Sequence, residues 1–134
     1  MAIKGVKELV EEANREIVTL APSQAIDMYS AGDAVLVDIR DIRELQRDGK
    51  VPDAVHAPRG MVEFWFDPAS PYHKPVFAQS GKTYVLFCAA GWRSALTAKT
   101  LKNMGFENIA HIDGGFGALK EMGATVEPDH DWQQ

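Results

Sequence analysis

Cys88 is the single cysteine of the chain, and the residues that follow it, Ala89-Ala90-Gly91-Trp92-Arg93-Ser94, are of the types that make a thiol reactive. The run before it, Thr83-Tyr84-Val85-Leu86-Phe87, is β-branched and aromatic, as a strand covered on both faces tends to be. A good helical stretch from Ala95 to Met104 comes after the loop. A thiol at such a junction faces unpaired backbone N–H groups and the positive end of a helix dipole. Both favour the thiolate, which is the nucleophilic form. Arg93 adds a fixed positive charge nearby. A plain core cysteine would account for Cys88 alone, but not for a glycine, an arginine and a helix start within six positions of it.

Around that thiol each residue has a chemical and a structural reading. Backbone N–H groups from Ala89 to Ser94 converge on the sulfur if the loop curls, and Gly91 allows the positive φ such a curl needs. Ala89 and Ala90 keep the approach short and uncharged. Arg93 either grips an anionic donor with its planar fork or braces the loop by bonding loop carbonyls or Asp38. Asp38, at the end of an earlier strand, is either that brace or a turn cap. Arg40 and Glu44, four apart, read as a solvated helix pair. Ser94 reads as an N-cap first and a donor to sulfur second.

The loop resembles the active-site loop of the rhodanese family of sulfurtransferases, Cys-x-x-Gly-x-Arg-Ser. Three further stretches agree with that family in order and spacing. Val35-Leu36-Val37-Asp38-Ile39-Arg40 resembles its strand ending in Asp-x-Arg. Gly49-Lys50-Val51-Pro52-Asp53-Ala54-Val55-His56-Ala57-Pro58 resembles its Gly-His-Ile-Pro-Gly-Ala segment. Gly105-Phe106-Glu107-Asn108-Ile109 through His111-Ile112-Asp113-Gly114-Gly115-Phe116 resembles its closing strand and Gly-Gly turn. The match runs over roughly residues 17–123.

That resemblance implies a rhodanese-like three-layer α/β/α fold on a five-stranded parallel sheet, with the cysteine at the carboxyl end of a central strand. It also implies sulfur transfer. The Cys88 thiolate attacks the outer sulfur of a donor such as thiosulfate, sulfite leaves, and a thiol or cyanide acceptor takes the sulfur from the resulting persulfide. Cys88 and Arg93 are then catalytic, and Ala89, Ala90, Gly91, Trp92 and Ser94 contact substrate. Asp38, Arg59 and Trp65 support the site. Neither cofactor nor metal is expected. The aromatic rings of Phe64, Trp65, Phe66 and Trp92, more apolar surface than thiosulfate or cyanide could use, point to a small thiol or a thioredoxin-like protein as acceptor. The chain departs from the family in having Ala89, Ala90 and Trp92 where thiosulfate-specific members often carry a cation, Lys50 at a common histidine, and Leu119 at a common tryptophan.

The elements that must hold this loop follow from periodicity. Ile3, Val6, Leu9, Val10, Ala13 and Ile17 recur at helical spacing, so residues 3–15 read as an amphipathic helix. Strands are expected at 17–20, 35–39, 55–56, 83–87 and 109–112. Helices are expected at 24–30 behind a Ser23 cap, at 42–46, at 95–104 and at 116–122. Such alternation makes a parallel sheet covered on both faces, with ligands beyond the strands' carboxyl ends. The stretch from Arg59 to Ser80 breaks the pattern. Phe64-Trp65-Phe66 forms a short helix from Gly60, and three prolines, Pro68, Pro71 and Pro75, forbid a long helix or a central strand after it. Long loops of this kind pack as lids or bind something, so its rings either cap a core edge or wall a pocket.

The remaining composition excludes more than it selects. The 134 residues read as a single domain with a polar tail at 124–134 that frays from Glu127. A formal charge of −5 argues against nucleic acid and anionic membranes as partners. No apolar run approaches the about 18 residues of a membrane span. The first residues carry charge and lack a signal-peptide core, and one cysteine forms no internal disulfide, so a cytoplasmic location is expected. His56, His73, His111 and His130 show no ligand spacing. The chemical rival is a cysteine-dependent phosphatase or arsenate reductase. The four residues between Cys88 and Arg93 make a tighter ring than the related phosphatases use. The non-enzymatic rival is an interaction module or persulfide carrier.

Overall fold

In a computed structural model that describes residues 2–129, the central strand is Thr83–Phe87 (β4). Its side chains alternate between two cores, Tyr84 and Leu86 entering one and Val85 and Phe87 the other. Ala34–Asp38 (β2) pairs with it on one side and Ile109–Ile112 (β5) on the other. Val18–Leu20 (β1) extends the sheet beyond β5, and Val55–His56 (β3) extends it beyond β2. The order is β1-β5-β4-β2-β3 with every pairing parallel. Met1 and residues 130–134, with His130 among them, lie outside the described residues.

Helices cover both faces, giving the expected three layers. Val6–Glu16 (α1), Val62–Phe66 (α4) and Trp92–Met104 (α5) lie on the face of Leu86, where Ala98 and Leu101 meet Phe66 and Val10 and Ala13 meet Ala95. Pro22–Ser30 (α2) and Gly115–Glu121 (α6) cover the face of Phe87 with Ala25, Phe116 and Leu119. Ile42–Asp48 (α3) follows β2 and is capped by Asp41, which accepts from the Arg43 N–H, while Glu44 reaches back to the Asp41 N–H.

Several element ends differ from expectation, each for a local reason. Pro22 starts α2, and the Gln24 side chain accepts from the Ala21 N–H, so Ser23 is not its cap. Helix α1 begins at Val6, after Gly5 in an extended conformation. Helix α5 begins three residues early, at Trp92, because Gly91 turns the chain at φ 112°. Ser94 therefore lies inside the first turn rather than at the cap.

The aromatic insertion divides its rings. A 3-10 turn, Arg59–Met61, leads into α4, and a second, Pro75–Ala78, carries Phe77 inward. Phe66 and Phe77 stack at 4.4 Å in the core, while exposed Phe64 meets Tyr72 edge-on. The described part of the tail, through Asp129, is docked where fraying from Glu127 is the expectation. Lys50 and Glu127 exchange backbone hydrogen bonds of 2.8 and 2.9 Å, and Asp129 is buried beside the Lys50 ammonium.

Candidate active site

Cys88 continues the alternation of Tyr84 and Leu86, so its side chain lies on the α5 face of the sheet, just beyond the carboxyl end of β4. Its sulfur accepts hydrogen bonds from the N–H of Gly91 at 3.1 Å and of Ser94 at 3.4 Å. The Ser94 hydroxyl lies 3.6 Å from it. Burial is the largest single influence on the thiol and opposes ionisation. The Ser94 hydroxyl and the N–H groups of Ser94, Gly91 and Ala90 together outweigh it and hold the thiol below its ordinary value. The cradle is thus built from backbone and one hydroxyl, with Ala89 and Ala90 exposed above it.

The glycine turn before α6 fixes the loop from outside. The N–H of Phe116 donates to the Cys88 carbonyl at 2.7 Å, and that of Gly117 donates to the Ala89 carbonyl at 3.1 Å. Such approach requires glycine at 115, where φ is +58° and a Cβ would come within 2.3 Å of the Cys88 oxygen. Two sequence motifs are therefore one structural unit.

Arg93 faces neither loop carbonyls nor Asp38. Its guanidinium donates to both carboxylate oxygens of Glu44, at 2.8 and 2.9 Å. The expected Arg40–Glu44 surface pair does not form. Arg40 is instead 1% exposed and grips Asp38 through Nε and Nη2, with a further bond to the Gly49 carbonyl and its guanidinium 3.9 Å from the Phe116 ring centre. Strand parity explains the exchange. Asp38 shares the face of Leu36 and points toward the α6 side, opposite to Cys88. The arginine fork held by Glu44 also keeps the Glu44 carboxyl below its usual value, against its partial burial.

The other two expected supports have partners of their own, and Trp65 packs against the core cluster that includes Cys88. Arg59 pairs with Glu63, and Trp65 stacks on Phe77 beneath the Lys74 ammonium. Trp92, at the first position of α5, is 50% exposed beside the loop. Two residues unforeseen as site components, Glu44 and His111, join it. His111 is buried on β5, with Nδ1 2.9 Å from the Ser94 hydroxyl and Nε2 near Asn14 Oδ1 at 3.0 Å and Thr19 Oγ1 at 3.1 Å. The signal was present: a polar residue among Ile109, Ala110 and Ile112 in a covered strand needs a buried partner. Among the described residues, no group of His, Cys, Asp and Glu side chains is placed to hold a metal.

A five-stranded parallel α/β sheet with a cysteine cradle at its carboxyl edge and an arginine five residues on defines a class of small α/β proteins with a cysteine-bearing loop. Within that class the chain belongs to the rhodanese-like domain family, whose family model matches residues 21–122. It is 30% identical to thiosulfate sulfurtransferase GlpE of Pseudomonas savastanoi pv. phaseolicola, covering 85% of this chain and 93% of that one. A Rhodopseudomonas palustris structure, described as a protein of unknown function and possible tyrosine phosphatase, is 49% identical, with a TM-score of 0.88 over 95% of this chain and 97% of that one. The polysulfide-sulfur transferase homodimer of Wolinella succinogenes is 30% identical, with a TM-score of 0.69 over 96% and 90%. The chain spans only 54% of a Synechocystis relative and 20% of a Desulfurococcus amylolyticus tRNA sulfurtransferase that it also matches.

Proposed function

We propose that this protein is a rhodanese-type sulfurtransferase that carries sulfane sulfur on Cys88. The observation that carries the reading is the cradle itself: N–H groups of Gly91 and Ser94 aimed at one sulfur, in a loop of four residues between Cys88 and Arg93. The thiolate attacks the outer sulfur of a donor such as thiosulfate, the S–S bond of the donor breaks, and sulfite departs with the bonding pair. The persulfide anion then rests among the same N–H groups until a thiol or cyanide takes its outer sulfur, which returns the Cys88 thiolate. Arg93, locked to Glu44, shapes the loop and contributes positive charge at its rim.

Two features support a thiol acceptor. Ala89 and Ala90 leave the approach open, and the exposed Trp92 offers an apolar face beside it for a thioredoxin-like protein or a small thiol. A nucleophile that must stay reduced suits a reducing compartment such as the cytoplasm. Purified protein assayed with thiosulfate and cyanide should release thiocyanate with ping-pong kinetics, and Cys88→Ser should not. The same preparation offered p-nitrophenyl phosphate should release no phosphate. Cys88-dependent hydrolysis without sulfur transfer would replace this reading with the phosphatase one.

A further inference from the structure

The side chains of Cys88, Ser94, His111 and Asn14 form a continuous chain from the loop to the outer surface of α1. Its steps are 3.6 Å from Cys88 Sγ to Ser94 Oγ, 2.9 Å from Oγ to His111 Nδ1, and 3.0 Å from His111 Nε2 to Asn14 Oδ1. Asn14 and Thr19 precede residue 21, so they lie outside the stretch that the family model matches. We propose that His111, oriented by Asn14, is the proton store for Cys88, acting through the Ser94 hydroxyl, and that α1 is thereby part of the active site.

The arrangement assigns each proton. Asn14 Oδ1 accepts, so His111 carries hydrogen on Nε2 and presents a bare Nδ1. The Ser94 hydroxyl also has the Gly91 carbonyl at 3.4 Å. In the relay it donates to the nearer Nδ1 at 2.9 Å and leaves its oxygen to accept from the Cys88 thiol. Ionisation moves the thiol proton to Ser94 Oγ while the hydroxyl proton moves to Nδ1. The S–H and O–H bonds break, new O–H and N–H bonds form, and the products are a thiolate, an intact serine and an imidazolium. Imidazolium Nε2–H is then shared by Asn14 and Thr19, and the Ser94 hydroxyl turns its proton to the thiolate. Reversal restores the thiol.

The surroundings suit a neutral base. His111 is 2% exposed between β4 and β1. Burial lowers its proton affinity from the ordinary value, with the Asp113 carboxylate on the following turn opposing. From α5 the polar group that meets it is Ser94, from α1 Asn14, and from β1 Thr19. Positive charge beside the thiol end comes from Arg93, itself paired with Glu44.

This inference takes Cys88 as the nucleophile, but its test reads alkylation rather than sulfur transfer, so the two can fail separately. The rate of Cys88 alkylation by iodoacetamide is followed against pH in the full chain. His111→Gln should move the midpoint upward by about one pH unit, a tenfold loss of thiolate on the acid side. Asn14→Asp supplies the sharper arm and lies at the protein surface, where folding is not at stake. An added carboxylate acting on the thiol through space would raise the midpoint, whereas a carboxylate stabilising the His111 imidazolium would lower it. A lower midpoint in Asn14→Asp supports the relay. An unchanged or raised midpoint overturns it, whatever His111→Gln does.

Discussion

Arg93 on α5 and Glu44 on α3 hold each other through two parallel hydrogen bonds of 2.8 and 2.9 Å, and the same carboxylate caps its own helix at the Asp41 N–H. The pair ties the loop after β4 to the helix after β2. A bidentate fork depends on planar geometry, so lysine restores charge but not position. Arg93→Lys should lower kcat/KM for thiosulfate at least about tenfold. Glu44→Gln should cost a similar factor, and the double variant little more than either alone, because both remove one brace. Steady-state kinetics on the four proteins checks this. Fully additive losses would mean that Arg93 acts on the donor independently of Glu44.

Arg40 and Asp38 predict a different outcome. They are buried on the far face of the sheet, away from the sulfur, so their contribution is to stability. Arg40→Ala leaves an unpaired buried carboxylate, which costs about 3–5 kcal/mol. Urea denaturation should reveal that loss. The alkylation rate of Cys88 under native conditions should change less than twofold.

Gly115 tests the link between the closing turn and the loop. Alanine there pays a left-handed backbone penalty and drives a methyl group against the Cys88 carbonyl, 2.3 Å away. The expected destabilisation is about 2 kcal/mol or more. Thermal melting measures it, and sulfur transfer should fall as the Cys88 carbonyl is displaced. Gly123→Ala, at φ +93° with open space around its Cβ, is the control for backbone strain alone.

The strands were legible in the sequence because their signal is local. Alternation and β-branching placed 55–56, 83–87 and 109–112 where β3, β4 and β5 stand. Helix starts were less legible, since a glycine at φ 112° can begin a helix without a side-chain cap, as Gly91 does. Cys88 and its cradle could be read from the loop motif. The partners of Arg93 and Arg40 could not, because sequence spacing made Arg40–Glu44 a plausible i,i+4 pair while strand parity sent Asp38 to the opposite face. Asn14, 97 residues from His111, has no local signal at all.

Acid stability should fall in two stages. His111 binds its proton less readily in the folded protein than its ordinary value near 6.5, so the unfolded chain takes up protons first and stability declines as pH drops below that value. Glu44, held below its ordinary 4.5 by Arg93, adds a second decline below that pH. Tm recorded between pH 8 and 3 should show both, about 6.5 and 4.5 being their upper limits. His111→Gln should remove the first. Persistence of the upper decline in that variant would assign it to another group.

Trp92 and Trp65 separate docking from packing. Trp92 is exposed at the loop, and covering its ring with a partner is worth roughly 1.5–3 kcal/mol. Trp92→Ala should raise KM for a thioredoxin-like acceptor about tenfold or more and leave reaction with cyanide unchanged. Trp65→Ala, which empties the space beside Phe77, should lower Tm and affect both acceptors alike. Equal kinetic losses for the two acceptors in Trp92→Ala would remove the docking role.

The central claim is that Cys88 carries the sulfur, and intact-protein mass spectrometry reads it directly. After treatment with thiosulfate and removal of excess donor, the protein should gain about 32 Da, one sulfur atom, localised to the Cys88 peptide. That mass should vanish on adding cyanide, and Cys88→Ser should never acquire it. Thiocyanate production by protein whose Cys88 gains no mass, or by the serine variant, would contradict the account.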